Sequence, residues 1–181
     1  MGSFILGLLM ALGPQTLYSL NRQFQAGPSL FYSASFGGLQ SALRGLVAAG
    51  HVTVAEVTAG GRHKRIHTIT DDGVAAFHAW IRSPPEGDLE VAALTRVFHL
   101  GLIKEATERR AILAGIIEAI EGELAVLQHL EEALADETKS IPPGYREVLR
   151  YQVATLDYGV TAHRMGLAWF RALADAPEDA H

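Results

Sequence analysis

Two Gly-Pro steps, Gly13-Pro14 and Gly27-Pro28, constrain the start of this chain more than any other feature, because neither pair continues a helix. Only short helices fit around them. Ile5, Leu8, Leu9 and Leu12 recur at three- and four-residue spacing, which predicts an amphipathic helix over Ser3 to Leu12. Thr16 is a suitable N-cap for a second helix in which Leu17, Leu20 and Phe24 share a face, and Gly27-Pro28 ends it. A third helix starts at Ser35, turns Leu39, Leu43 and Leu46 inward and ends at Gly50, a residue suited to a left-handed C-terminal position.

After Gly50 the pattern changes. Val52-Thr-Val-Ala-Glu-Val57 and Lys64-Arg-Ile-His-Thr-Ile69 are β-prone, and Thr58-Ala-Gly-Gly-Arg62 joins them as a hairpin loop. Thr70 then caps a fourth helix, with Asp71 and Asp72 at the positive end of its dipole and Phe77, Trp80 and Ile81 as its apolar face. Helix, helix, helix, hairpin, helix within about eighty residues is the order of a winged helix-turn-helix, whose third helix enters the major groove while the wing follows the backbone.

Ser83-Pro84-Pro85-Glu86-Gly87 cannot continue either neighbouring helix, so the domains are expected at 1–83 and 88–181. Leu89 to Leu102 reads as helix. Lys104 to about Thr138 reads as a much longer one, with Ile112, Ile116, Ile120, Leu124, Leu127 and Leu134 as its stripe and Gly115 or Gly122 as places for a bend. After Ile141-Pro-Pro-Gly144 a last helix extends to about Ala174, with Leu149, Val153, Leu156, Val160, His163, Leu167 and Phe170 on one side. Long striped helices predict a homodimer; a helical hairpin within one chain is the alternative. The expected fold is therefore mainly α with a small β-hairpin, a winged helix-turn-helix followed by a helical dimerisation arm.

Composition narrows the function. With 49% apolar and 19% charged residues the chain is expected to fold rather than stay disordered. It has no cysteine, which removes disulfides, thiolate metal sites and cysteine nucleophiles. The eight histidines show no H-E-x-x-H spacing, so no metal site is expected. No G-x-S-x-G or phosphate-cradling G-x-x-x-x-G-K-[ST] occurs, and neither catalysis nor a cofactor is expected. Phe4 to Leu12 is about half the length of a membrane span, and no basic residue precedes it, so the expected location is the cytoplasm, with no membrane anchor.

Charge is divided unevenly. Residues 1–83 carry six Lys/Arg (Arg22, Arg44, Arg62, Lys64, Arg65, Arg82) against three acids, a net +3, while the remainder has nine against seventeen, a net −8. One half suits a polyanion and the other repels it. On the third helix Gln40, Ser41 and Arg44 are the outward polar residues, able to hydrogen-bond base edges or phosphates, and Ser35 opens that helix. Gly37 and Gly38 weaken the helix start but also let backbone amides approach a phosphate. Arg62, His63, Lys64 and Arg65 are the densest basic run, placed at the hairpin tip where they would neutralise phosphates; the alternative is a solvated turn. Arg22 and Tyr18 on the second helix are further candidates for the DNA backbone, Tyr18 also serving as a core residue.

Several of these segments resemble the PadR family of bacterial regulators over nearly the whole chain. Phe4-Ile-Leu-Gly-Leu-Leu9, Gly13-Pro14 and Tyr18-Ser-Leu20 stand where the family has an apolar helix, a G-P break and G-Y-x-L, with Leu17 in place of the glycine. Ser35 to Val52 matches the frame S-x-G-x-I-Y-P-A-L-x-x-L-x-x-x-G-L-I, with Gln40 and Ser41 in place of Tyr-Pro. Lys64-Arg-Ile-His-Thr-Ile-Thr-Asp-Asp-Gly73 is similar to R-K-x-Y-x-I-T-x-x-G, with His67 for tyrosine, and Ala168-Trp-Phe-Arg-Ala-Leu173 looks like the A-W-L ending of longer-armed members. The resemblance implies a repressor that binds double-stranded DNA as a homodimer and is released by a hydrophobic or phenolic small molecule. It also implies Trp80, Phe98 and Trp169 as candidate lining of the effector site, with core packing their alternative, a choice that extends to His99 and His163. The missing Tyr-Pro and the single cation of the third helix leave a second reading, a scaffold with a weakened DNA face acting as a ligand-binding or protein-binding adaptor.

Overall fold

A computed structural model of the chain describes residues 1–59, 62–137 and 142–177. Among the described residues, seven α-helices and one hairpin follow in the order α1 (Gly2–Leu12), α2 (Leu17–Gln25), α3 (Phe36–Ala48), β1 (Val52–Ala59), β2 (Arg62–Ile69), α4 (Asp71–Arg82), α5 (Leu89–His99), α6 (Ala106–Glu137) and α7 (Arg146–Asp175). They form two compact units, Met1–Arg109 and Arg110–His181. No helix among the described residues is long and apolar enough to cross a membrane.

The first unit is a winged helix-turn-helix extended by α5. Helices α2 to α5 start where a side chain satisfies a free amide: Thr16 accepts from Ser19 N (3.0 Å), Ser35 from Gly38 N (3.0 Å), Thr70 from Gly73 N (3.1 Å) and Asp88 from Val91 N (3.0 Å). Each such cap contributes about 1 kcal/mol. At the other end of α3, Gly50 adopts φ 76°, and the amides of Gly50 and His51 bond back to Val47 O (3.1 Å) and Leu46 O (3.0 Å). That left-handed turn aims the chain into β1.

β1 and β2 pair antiparallel from Val52 opposite Ile69 to Ala59 opposite Arg62. The strands therefore take in Thr58, Ala59, Arg62 and His63, residues that the sequence places in or beside the loop. Thr58 and His63 stand opposite each other, with Oγ1 3.3 Å from Nδ1. Residues 60 and 61 of the expected loop lie outside the described residues. A third rung joins the α1–α2 turn to the hairpin: Gln15 N donates to His67 O (3.0 Å) and His67 N to Gln15 O (2.8 Å).

α1 is the centre of this unit and touches α3, α4, α5 and β2. Phe4 is buried with its ring 4.9–5.9 Å from those of Phe24, Tyr32, Phe98 and His99, edge-on to the first two. Gly7 sits so close to the His99 ring that a Cβ there would fall 2.6 Å from it. α5 thus packs against α1. The Pro-Pro segment interrupts the helices without interrupting the packing, and the compact units divide at Arg109 and Arg110, inside α6, rather than at residues 83–87.

The second unit pairs the body of α6 with α7. α6 is continuous through Gly115 and Gly122. The two helices are antiparallel: Leu127 lies against Gly159, His163 Nε2 is 3.1 Å from Glu123 Oε2, and Arg171 bonds Glu121. Ile112, Ile116, Ile120 and Leu124 are buried on α6, as are Leu156, Val160, Leu167 and Phe170 on α7. The hairpin within one chain is therefore present, and the inner stripe alone does not call for a second copy. α7 has a second apolar row, however. Val148, Tyr151, Tyr158, Met165 and Trp169 repeat in threes, fours and sevens about 150° round the helix from the inner stripe and are 47–76% exposed.

Candidate nucleic-acid interface

A groove of about 560 Å³ opens between the start of α2, the outer face of α3 and the hairpin. α3 shapes one wall. Its buried Leu39, Leu43 and Leu46 fix the helix against the core, so that Gln40, Ser41 and Arg44 turn outward at helical spacing. The opposite wall is the hairpin. Strand alternation sets His63, Arg65 and His67 on one face, with His67 nearest the core.

Of the residues expected at a DNA surface, Tyr18, Gln40, Arg44, His63, Lys64 and Arg65 line this one groove. Ser35, Ser41 and Arg22 are exposed but stand off its walls, and Ser35 is occupied as the N-cap of α3. The side chain of Arg62 lies outside the described residues. Tyr18 is 74% exposed, which decides between its two readings in favour of the surface.

Three cations, Arg44, Lys64 and Arg65, face a lining that contains no carboxylate. Glu56, opposite Arg65 on the hairpin, holds it at 3.5 Å, with the two side chains 69% and 73% exposed. So exposed a pair contributes little and yields readily to a phosphate. His67, also in the wall, is 8% exposed and its Nδ1 lies 3.3 Å from Gln15 O. Burial pulls its pKa below the usual histidine range, a pull opposed by that backbone contact and reinforced by the charge of Arg65. His67 is therefore a wall residue, its neutral form favoured by burial, that ties the hairpin to the α1–α2 turn. Its inward position was readable from strand alternation; its bond to Gln15, across fifty-two residues, had no sequence signal.

The hairpin root is locked to α4. Thr70 N donates to His51 O (3.0 Å) and Thr70 Oγ1 to Gly50 O (2.8 Å). Gly73 packs where any Cβ would lie 2.2 Å from His51 O, so the glycine of the Thr70-Asp-Asp-Gly73 segment is required by a backbone approach.

Trp80 and Phe98, both expected at an effector site, border different pockets among the described residues. Trp80 lines a pocket with Phe4, Tyr32 and Arg96, whereas Phe98 borders a separate crevice with Leu8, Leu12 and His99. Trp169 belongs to the second unit, half-exposed on the outer row of α7 and edge-on to Phe170 at 4.9 Å. His99 is buried, and desolvation lowers its pKa to about 4 against a weaker pull from the Phe4 backbone. His163 is bonded within the arm, to Gly159 O (2.8 Å) and Glu123.

No family model and no curated protein matches the chain. Among solved structures it is similar to PadR and PadR-like transcriptional regulators. Bacillus subtilis PadR in complex with operator DNA is 20% identical, covering 96% of each chain, with a TM-score of 0.43. The PadR-like regulator BC1756 from Bacillus cereus is 22% identical over 93% of this chain and 94% of its own, TM-score 0.42. Bacillus subtilis PadR in complex with p-coumaric acid is 19% identical over 97% and 96%, TM-score 0.41.

Proposed function

We propose that the chain is a PadR-type transcriptional regulator that binds duplex DNA with the groove between α3 and the hairpin. The observation that carries this reading is the coincidence of three cations and two hydrogen-bonding side chains, Tyr18 and Gln40, in one carboxylate-free groove of a protein whose net charge is −5. Gln40 is suited to adenine and Arg44 to guanine or a phosphate at the major groove, while Lys64 and Arg65 neutralise the backbone alongside.

Operators are read symmetrically by dimers, and the exposed outer row of α7 supplies the apolar seam for a second copy. The inner stripe is taken up within the chain; the outer row is what a homodimer would cover. A cytoplasmic repressor, relieved by a hydrophobic or phenolic small molecule, is the reading that the family resemblance adds.

An electrophoretic mobility shift with the DNA upstream of the protein's own gene tests the proposal. Binding that fades with added salt, and that Arg44→Ala and Lys64→Ala each weaken, is the expected result. Arg44→Ala should cost about 1–3 kcal/mol of binding. No binding at any salt concentration would reject DNA recognition in favour of the adaptor.

A further inference from the structure

α3 begins with Phe36, which is 48% exposed. Phe4, Phe24, Phe77 and Phe170 are buried, and the half-exposed Phe98 packs its ring near those of Phe4, Phe31 and His99. Phe36 takes part in none of the ring contacts among the described residues. Its apolar face is left to water, a cost that an apolar partner from outside the chain would remove.

Helical spacing gives that partner a direction. Phe36, Gln40, Arg44 and Val47 are all exposed and fall on one flank of α3, about 90° round the helix from the buried Leu39, Leu43 and Leu46. The last three of this row line the α3–hairpin groove. Phe36 carries the row one turn further, to the N-terminal end of α3, which is the end that meets base edges when a helix-turn-helix docks in a major groove. Gly37 and Gly38 follow it, both exposed. Neither has a positive φ, and a Cβ on either would meet nothing nearer than the Ser35 hydroxyl, at 3.9 and 3.4 Å. The fold itself does not demand glycine there; a close approach of this turn to a surface outside the chain does.

We propose that Phe36 is a specificity-determining residue that reads thymine, its ring set against the 5-methyl group at the major-groove edge. The inference rests on DNA binding through the α3–hairpin groove and adds the base that the leading end of α3 selects. The 5-methyl of thymine is the apolar feature among the donors and acceptors of that edge, and phenylalanine is suited to it as Gln40 is to adenine. The bare backbone of Gly37 and Gly38 lets the ring reach the base without a neighbouring side chain holding the helix away.

The test compares, by mobility shift, the DNA upstream of the protein's own gene with the same duplex carrying deoxyuridine in place of every thymidine, which removes only the methyl groups. The wild-type protein is expected to bind the deoxyuridine duplex at least threefold more weakly, since burial of one methyl group corresponds to about a fourfold change in affinity. Phe36→Ala and Phe36→Gln, both at an exposed position, should bind the two duplexes alike, and Phe36→Leu, which keeps an apolar tip, should retain the preference. Equal wild-type affinity for the two duplexes, or a preference that survives Phe36→Ala or Phe36→Gln, would overturn the role of Phe36 while leaving DNA binding intact. Binding of neither duplex by the wild-type protein would reject the DNA reading itself, and this inference with it.

Discussion

In the wing-bearing unit α2, α3, α4 and α5 all begin on a side-chain cap, whereas α7 in the arm begins at Tyr145 with none. The lengths differ in the same sense, nine to thirteen residues against thirty. A helix of two or three turns cannot offset its own nucleation: α2 to α5 are held by caps and breaks, and α1, which has no side-chain cap, by its packing against neighbours. A helix of eight turns needs only a sustained apolar stripe. The two glycines with the closest neighbours, Gly7 and Gly73, both lie in the first unit, whereas Gly115 and Gly122 in the arm have open space around them, as Gly45 in α3 does.

Glycine substitutions should break the comparison most sharply if it is wrong. Gly73→Ala puts a Cβ 2.2 Å from His51 O and 2.8 Å from Ile69 Cγ1, with expected destabilisation of about 3 kcal/mol or more in urea denaturation. Gly115→Ala, in the arm, should instead stabilise by about 1 kcal/mol, the helix-propensity difference. Similar losses at both positions would show the arm to be as tightly specified as the wing.

His99 gives the next largest effect. Its folded-state pKa of about 4 lies below the ordinary 6.5, so the unfolded chain takes up the proton first. Stability is then complete above about pH 6.5 and falls as pH drops towards 4, by up to about 3 kcal/mol, an effect that His99→Leu should flatten. The arm offers no buried histidine of this kind among its described residues: His163 is bonded to Glu123 at its surface.

Smaller effects are expected in the arm. On the proposed dimer seam, Met165→Glu should raise the dimer dissociation constant at least tenfold, about 1.4 kcal/mol, in sedimentation equilibrium, leaving helix content unchanged. Glu121→Gln, which removes a half-exposed partner of Arg171, should cost about 0.5 kcal/mol or less and cost less still at high salt.

Much of the first unit was legible because its instructions are local. Thr16, Ser35 and Thr70 cap as their sequence positions predict, Gly50 turns the chain, and the period change at Val52 marks the hairpin. Six of the ten predicted DNA residues line one groove; helical and strand periodicity account for Gln40, Arg44, His63 and Arg65, but not for Lys64, which alternation sets on the other face of β2. What was not legible depends on contacts between distant segments. Neither the allegiance of α5 to α1, nor the burial of Arg96, nor the separation of Trp80 from Phe98 leaves a periodic trace. In α7 a second row of apolar residues, Tyr151, Tyr158 and Met165, was hidden by the stronger inner stripe beside it.

Engagement of phosphates by the proposed α3–hairpin interface is tested most directly by the salt dependence of binding a short duplex, followed by fluorescence anisotropy. The logarithm of the association constant should fall linearly with the logarithm of salt concentration, and Lys64→Ala should reduce that slope by about one. A slope near zero, or one that Lys64→Ala and Arg44→Ala leave unchanged, would contradict the account.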